Sequence, residues 1–160
     1  MDIAALITWV ITALGGFYLL GTWLAKGGAR GGNSHLPVPV IFGHFALAAI
    51  GLVVWIVYVI ADKDALAWTA FALLVPVALL GFVMLARWIP VYRGRATAST
   101  APSTTASASA SAPGSTSVSA GGQAALAERH FPLAVVGAHG LFAVVTVVLV
   151  LLTALGIGES

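Results

Sequence analysis

Four apolar runs, at about residues 3–25, 38–61, 65–89 and 131–156, dominate the chain and restrict what it can fold into. Each exceeds the roughly 20 residues that a helix needs to cross about 30 Å of hydrocarbon. A backbone in lipid must satisfy its own hydrogen bonds, which leaves helices or closed barrels. None of the runs alternates with period two, as barrel strands do, so four transmembrane helices are expected. Composition agrees, since 60% of the 160 residues are hydrophobic and 8% are charged. A soluble domain carries roughly 25% charged residues, so this chain lacks the polar surface to face water all round.

Charge placement predicts topology. Lys26, Arg30, Arg87, Arg93, Arg95 and Arg129 fall on loops or helix ends of one side. Only Lys63 falls on the other, with Asp2, Asp62, Asp64 and Glu159. Basic residues concentrate in cytoplasmic loops, which puts both termini outside and the basic loops inside a plasma membrane. The net charge of +2 does not point to nucleic acid, because the basic residues form no stripe. The first run has no basic region before it and is followed by Lys26, so it reads as a retained signal-anchor. No cysteine is present, which removes disulfides, thiolate metal sites, iron–sulfur clusters and thiol redox chemistry.

The chain organises as residues 1–93, with a first hairpin and a third helix, then a linker at 94–127, then 128–160 with the fourth helix. Together these make one membrane domain. The linker is rich in Ser, Thr and Ala and buries too little apolar area to offset the entropy of ordering, so it is expected to be a disordered cytoplasmic spacer. A short helical start is expected within 123–129. Trp23, Trp68 and Trp88 fall at helix ends, where aromatic belts form. The Asp62-Lys63-Asp64 turn makes helices 2 and 3 antiparallel neighbours, and Pro76 predicts a kink in helix 3.

All four histidines lie in two copies of one pattern, His-x-Pro-x6-His: His35 to His44 and His130 to His139. Each copy opens an apolar run, and Val40, Ala48 and Val53 match Val135, Ala143 and Val148. The fold expected is an all-α integral membrane protein: four transmembrane helices in an up-down-up-down bundle, built as a duplicated helical hairpin with a disordered linker. Helices 2 and 4 then run the same way, so the repeats are parallel about an axis along the membrane normal. Helices 1 and 3 share less: Leu19-Leu-Gly21 resembles Leu79-Leu-Gly81.

Pro37 and Pro132 suit the first helical turn, so His35 and His130 precede their helices at the interface. His44 and His139 lie about 10 Å further along, at one depth. Small residues surround both: Gly43, Ala48 and Gly51 near His44, and Gly137, Gly140 and Ala143 near His139. Such residues let helices approach closely or leave room for a flat cofactor. Across the diagonal of a bundle, roughly 12–14 Å between axes, two imidazoles do not bond directly but can share something held between them. A b-type haem suits that space, with His44 and His139 as axial ligands, Gly43, Gly51, Gly137 and Gly140 as pocket, and Lys26, Arg87 and Arg129 as propionate partners.

In these histidine-bearing helices the chain resembles bis-histidine cytochrome b-type four-helix membrane proteins, including haem A synthase-like bundles. The resemblance covers the four helices and implies that level histidines on alternate helices hold iron, here His44 and His139. Two other readings stand beside it: each histidine bonds a neighbouring helix and fixes packing, or the pair relays protons for transport. A structural subunit of a larger membrane complex also suits the low charge. His35 and His130 are expected to satisfy free helix amides or, more weakly, to bind a surface metal. An enzyme acting alone is least expected, for lack of a buried carboxylate, nucleophile or cofactor fingerprint. Expected partners are the lipid bilayer and other membrane subunits or a second copy, and no nucleic acid.

Overall fold

The computed structural model describes residues 1–30, 33–100 and 126–157, with only the backbone described for 95–100. It contains α1 (Asp2–Ala25), α2 (Val38–Ala61), α3 (Asp64–Thr100), a 3₁₀ turn (Ala127–His130) and α4 (Leu133–Ala154). All four α-helices are long and apolar enough to cross a membrane. The expected linker falls mainly on residues outside those described, apart from its first residues, which extend α3, and its last, which open the 3₁₀ turn.

Consecutive helices run antiparallel. Trp55 of α2 donates to the carbonyl of Asp2 at the start of α1, while Phe42, at the start of α2, packs on Trp23 at the end of α1. The most extensive packing joins α2 to α3 and α1 to α4, so the bundle is two helix pairs laid face to face. The end holding the α1–α2 loop and the 3₁₀ turn is the basic end, carrying Lys26, Arg30, Arg87, Arg93 and Arg129.

Helix ends follow local chemistry. Gly27 and Gly156 both take positive φ, at 76° and 71°. In each case the next residue's N–H bonds back across the last turn, Gly28 to Trp23 and Ile157 to Leu152, the Schellman arrangement that satisfies terminal carbonyls. α2 and α4 start alike, on Pro37 and Pro132 with φ of −67° in both and ψ of 126° and 128°. The prolines are therefore the residues that cap these helices from extended conformation, one position earlier than expected. Neither start has a side-chain cap, so His35 and His130 do not serve the free amides as expected.

Helix 3 departs most from expectation. It does not stop near residue 89 but continues through Pro76 and Pro90 to Thr100. A proline deletes one hydrogen bond yet need not end a helix whose next turn is packed. Here Trp88 and Val91 are buried, and Trp88 stacks on Tyr92 with ring centres 5.1 Å apart.

Two cores hold the bundle. One, toward the α2–α3 turn, is built on Trp9, Trp55 and Tyr58 with Ala5, Ala67 and Ala70. The other, at the basic end, is built on Trp23, Trp88, Leu36, Ile41 and Phe131. Trp23 and Trp88 thus belong to the interior and not to a lipid-facing belt. Each indole N–H has an inside partner, Ser34 Oγ at 2.9 Å and the Glu128 carbonyl at 3.2 Å, which removes the reason to stay at the headgroups. Trp68 is exposed, as a belt residue is. The outward faces remain apolar, with Ile7, Leu14, Val53, Ile60, Leu79, Leu141 and Val148 all exposed, far more than a water-facing surface tolerates.

Candidate functional site

Between the two cores stand His44 and His139. His44 projects from α2 in one helix pair and His139 from α4 in the other, and their ring centres are 6.3 Å apart with planes at 57°. Each ring is anchored from behind within its own pair. His44 Nδ1 donates to the Val77 carbonyl of α3, and His139 Nδ1 to the Thr12 carbonyl of α1, both at 2.9 Å. A carbonyl only accepts, so Nδ1 carries the proton. In a neutral imidazole that leaves the lone pair on Nε2. No hydrogen bond joins the two rings, and none reaches either Nε2, among the described residues.

The imidazoles' access to these carbonyls needs explaining, since helix carbonyls already bond the residue four further on. A carbonyl has two lone pairs and can take a second donor. Close access to the backbone comes from glycines. A Cβ on Gly16 would lie 3.1 Å from His139 Cε1, and one on Gly81 would lie 3.4 Å from His44 Cε1. Gly15 also lies against the His139 ring.

These are not the glycines expected. Gly51 seats the Trp9 indole, and Gly43 lies against Leu80. Gly137 and Gly140 are exposed with nothing within 4 Å of where a Cβ would be. The pocket expected from Gly43, Gly51, Gly137 and Gly140 is corrected accordingly. Neighbours in sequence are rotated about 100° per residue on a helix, so residues one or two from a histidine do not share its face.

The contacts expose a sequence signal that was missed. Residues 65 apart match as Ala13-Leu14-x-Gly16-Phe17-x-x-Leu20-x-x-Trp23 and Ala78-Leu79-x-Gly81-Phe82-x-x-Leu85-x-x-Trp88. This replaces the register that paired Gly21 with Gly81, for Gly21 has nothing within 4 Å. Thr12 and Val77, the two residues whose carbonyls hold the rings, also fall 65 apart.

The remaining candidates gather at the basic end. His35 and His130 are exposed, and His130 Nδ1 meets only its own turn, at the Ala127 carbonyl. Among the described residues no group of three or more histidines and acids stands close enough to hold a metal ion. Arg87 donates to the His35 carbonyl at 3.2 Å, Lys26 is exposed where α1 ends, and Arg129 is half-buried in the 3₁₀ turn. Glu128 corrects the expectation that no carboxylate is buried. It is 0% exposed, its Oε1 accepts the His35 N–H at 2.6 Å, and its Oε2 has no partner among the described residues. The Ala127 N–H bonds to the Asn33 carbonyl, docking the turn on the α1–α2 loop and enclosing the side chain.

What this donor set can hold is narrow. Two imidazoles from opposite sides, without a third protein ligand among the described residues, leave a bare zinc or calcium ion short of its usual coordination. A metal whose other positions were filled by a macrocycle would need no further protein ligand than these two. The 6.3 Å between ring centres is of the size that a single metal ion held between the two imidazoles would need. No protein family, no curated protein and no solved structure matches the chain.

Proposed function

We propose that the protein is a small membrane cytochrome that binds haem b through His44 and His139, for electron transfer or haem handling. The observation that carries this reading is the opposed histidine pair, each Nδ1 tied to a backbone carbonyl and each Nε2 without a partner among the described residues. Metal-bound histidines commonly donate their other ring N–H to a carbonyl, which holds the tautomer and the ring orientation. Haem when bound supplies one-electron chemistry at iron. The chain's own part is to hold the two imidazoles at one depth, keep water out with the tryptophan cores, and offer cations at the basic end. Of these, Arg87, Arg129 and Lys26 are the proposed partners of the haem carboxylates.

The same reading takes the bundle as an up-down-up-down duplicated hairpin with the basic end cytoplasmic in the plasma membrane. The matches 65 residues apart in α1 and α3, and 95 apart in the histidine motifs, support the duplication. The lipid bilayer is then the first partner, and a redox or structural membrane subunit or a second copy the next.

The test is a visible spectrum of protein purified from a haem-replete host, oxidised and reduced. Sharp reduced bands, lost in both His44→Ala and His139→Ala, are expected. A colourless, folded protein would sink the reading and leave packing, proton relay or a scaffold role. Sidedness is checked with a cysteine in place of Ser109, which should resist an impermeant maleimide until the cells are permeabilised.

A further inference from the structure

Both imidazoles are held by the same bond to a helix carbonyl, yet the helix pairs that hold them differ in chemistry. Along the α1–α4 seam, polar side chains lead from His139 toward the end that holds the α2–α3 turn. One turn before Thr12 on α1 stands Thr8, whose Oγ1 accepts from Thr146 Oγ1 of α4 at 3.0 Å. The contacts of Thr12 with His139 and of Thr8 with Thr146 set an antiparallel register. Continued to the start of α1, that register puts Asp2 level with Thr153. The α2–α3 pair is apolar over the same stretch but for Tyr58. Residues 65 further on than Asp2, Thr8 and Thr12 are Ala67, Leu73 and Val77, and residues 95 before Thr146 and Thr153 are Gly51 and Tyr58. At Gly51 the space is filled, since the Trp9 indole lies 3.1 Å and the Leu73 side chain 3.7 Å from where a Cβ would be.

The groups along the α1–α4 seam are of the kind that pass protons. Thr153 is 3% exposed and its Oγ1 has no hydrogen-bond partner among the described residues. Asp2 Oδ1 is likewise buried and without such a partner, with the Met1 ammonium 3.5 Å from it. The Asp2 side chain as a whole is 34% exposed, so it joins the surface to the interior. A buried oxygen without a bond is costly, and water that reaches it removes the cost. Further in, the Thr146 hydroxyl has one hydrogen and two acceptors, the Phe142 carbonyl at 2.8 Å and Thr8 Oγ1 at 3.0 Å. A hydroxyl both donates and accepts, and its hydrogen turns to suit either acceptor.

We propose that the α1–α4 seam is a proton inlet, running from the surface at Asp2 to Nδ1 of His139 by way of Thr153, Thr146, Thr8 and water bound among them. Each hydroxyl or water oxygen on the route takes one proton and releases another. At His139 the Nδ1 proton leaves before its replacement binds, so charge balances over each exchange. His44, on the pair whose seam is filled by Trp9 and Leu73, has no such route. The inlet serves His139 whether or not a haem stands between the rings.

The test is hydrogen–deuterium exchange of the ring N–H groups, followed by nuclear magnetic resonance of protein labelled at the histidine nitrogens in lipid nanodiscs. Where haem is bound, the diamagnetic reduced state is used. His139 should exchange at least about tenfold faster than His44, equivalent to roughly 1.4 kcal/mol in barrier. The variant Thr8→Val/Thr146→Val keeps side-chain volume and removes both hydroxyls. It should slow His139 to the rate of His44 and leave His44 unchanged. Thr8→Ser/Thr146→Ser keeps the hydroxyls and should keep the fast rate, which a role in packing alone would not give. Where the valine pair loosens the bundle, seen as faster exchange at His44, Thr153→Val closes the route nearer the surface and should also slow His139. Equal rates at His44 and His139 in the parent, or a rate at His139 untouched by the valine changes, would overturn the inlet. Neither result alters the visible spectrum that tests the cytochrome reading.

Discussion

Gly16 and His139 touch where a side chain on the glycine would have to be. A Cβ there would stand 3.1 Å from the imidazole Cε1, so the ring would have to give by a few tenths of an ångström, and a larger side chain would push it further from Thr12. Gly16→Leu should therefore destabilise the bundle by about 1–3 kcal/mol through overpacking. Gly81→Leu should do the same to His44, starting from a looser 3.4 Å. Gly21 is the control. It has open space, and Gly21→Ala should be neutral or up to about 1 kcal/mol stabilising from helix propensity. Thermal unfolding followed by circular dichroism in detergent ranks the three, and equal melting points for Gly16→Leu and Gly21→Ala would refute the packing.

Gly28 has a different constraint. Its missing Cβ would overlap the Trp23 indole, which donates to Ser34 Oγ at 2.9 Å. Gly28→Ala must push the indole off that hydroxyl, at an expected cost of about 1–3 kcal/mol. Ser34→Ala removes the acceptor without the clash and should cost less. A larger loss for Ser34→Ala than for Gly28→Ala in the same melts would reverse this account.

Glu128 ties the second half of the chain to the first through the His35 N–H. Glu128→Ala removes the acceptor of that bond, which should cost up to about 1–3 kcal/mol. Glu128→Gln keeps a carbonyl oxygen to accept the same bond, so its melting temperature should fall between those of the parent and Glu128→Ala. Should the glutamine variant melt below the alanine one, the bond to His35 is not what Glu128 contributes.

On the α1–α4 side, Thr146 Oγ1 donates to Thr8 Oγ1 at 3.0 Å. Interhelical bonds of this kind in membranes average about 0.6 kcal/mol. A double-mutant cycle with Thr8→Ala and Thr146→Ala should return a coupling of that size. A coupling indistinguishable from zero would mean the bond adds nothing beyond packing.

How much of this was legible beforehand differs residue by residue. His44 and His139 could be placed level from the sequence because both follow a helix-starting proline by seven residues, and rise per residue is constant. Gly16 and Gly81 were as readable, through the shared Gly-Phe-x-x-Leu-x-x-Trp pattern, and were missed because a shorter Leu-Leu-Gly match gave the wrong register. Gly137 and Gly140 misled for a geometric reason: closeness along a helix is not closeness in space. Trp23 and Trp88 misled because an indole near a helix end goes to the interface only where the interior offers its N–H no acceptor.

The amino-acid sequence by itself determined four apolar spans, their lengths, the grouping of basic charge at one end and the depth of each histidine. Those follow from the length and hydropathy of each run and from the cost of an unsatisfied backbone in lipid. Only the tertiary structure decided how each helix is turned about its axis, and with it that Thr12 and Val77 hold the imidazoles and that Glu128 is enclosed. A helix between lipid and core is apolar on both faces, so hydrophobicity carries no mark of which face points inward, and packing alone makes that choice.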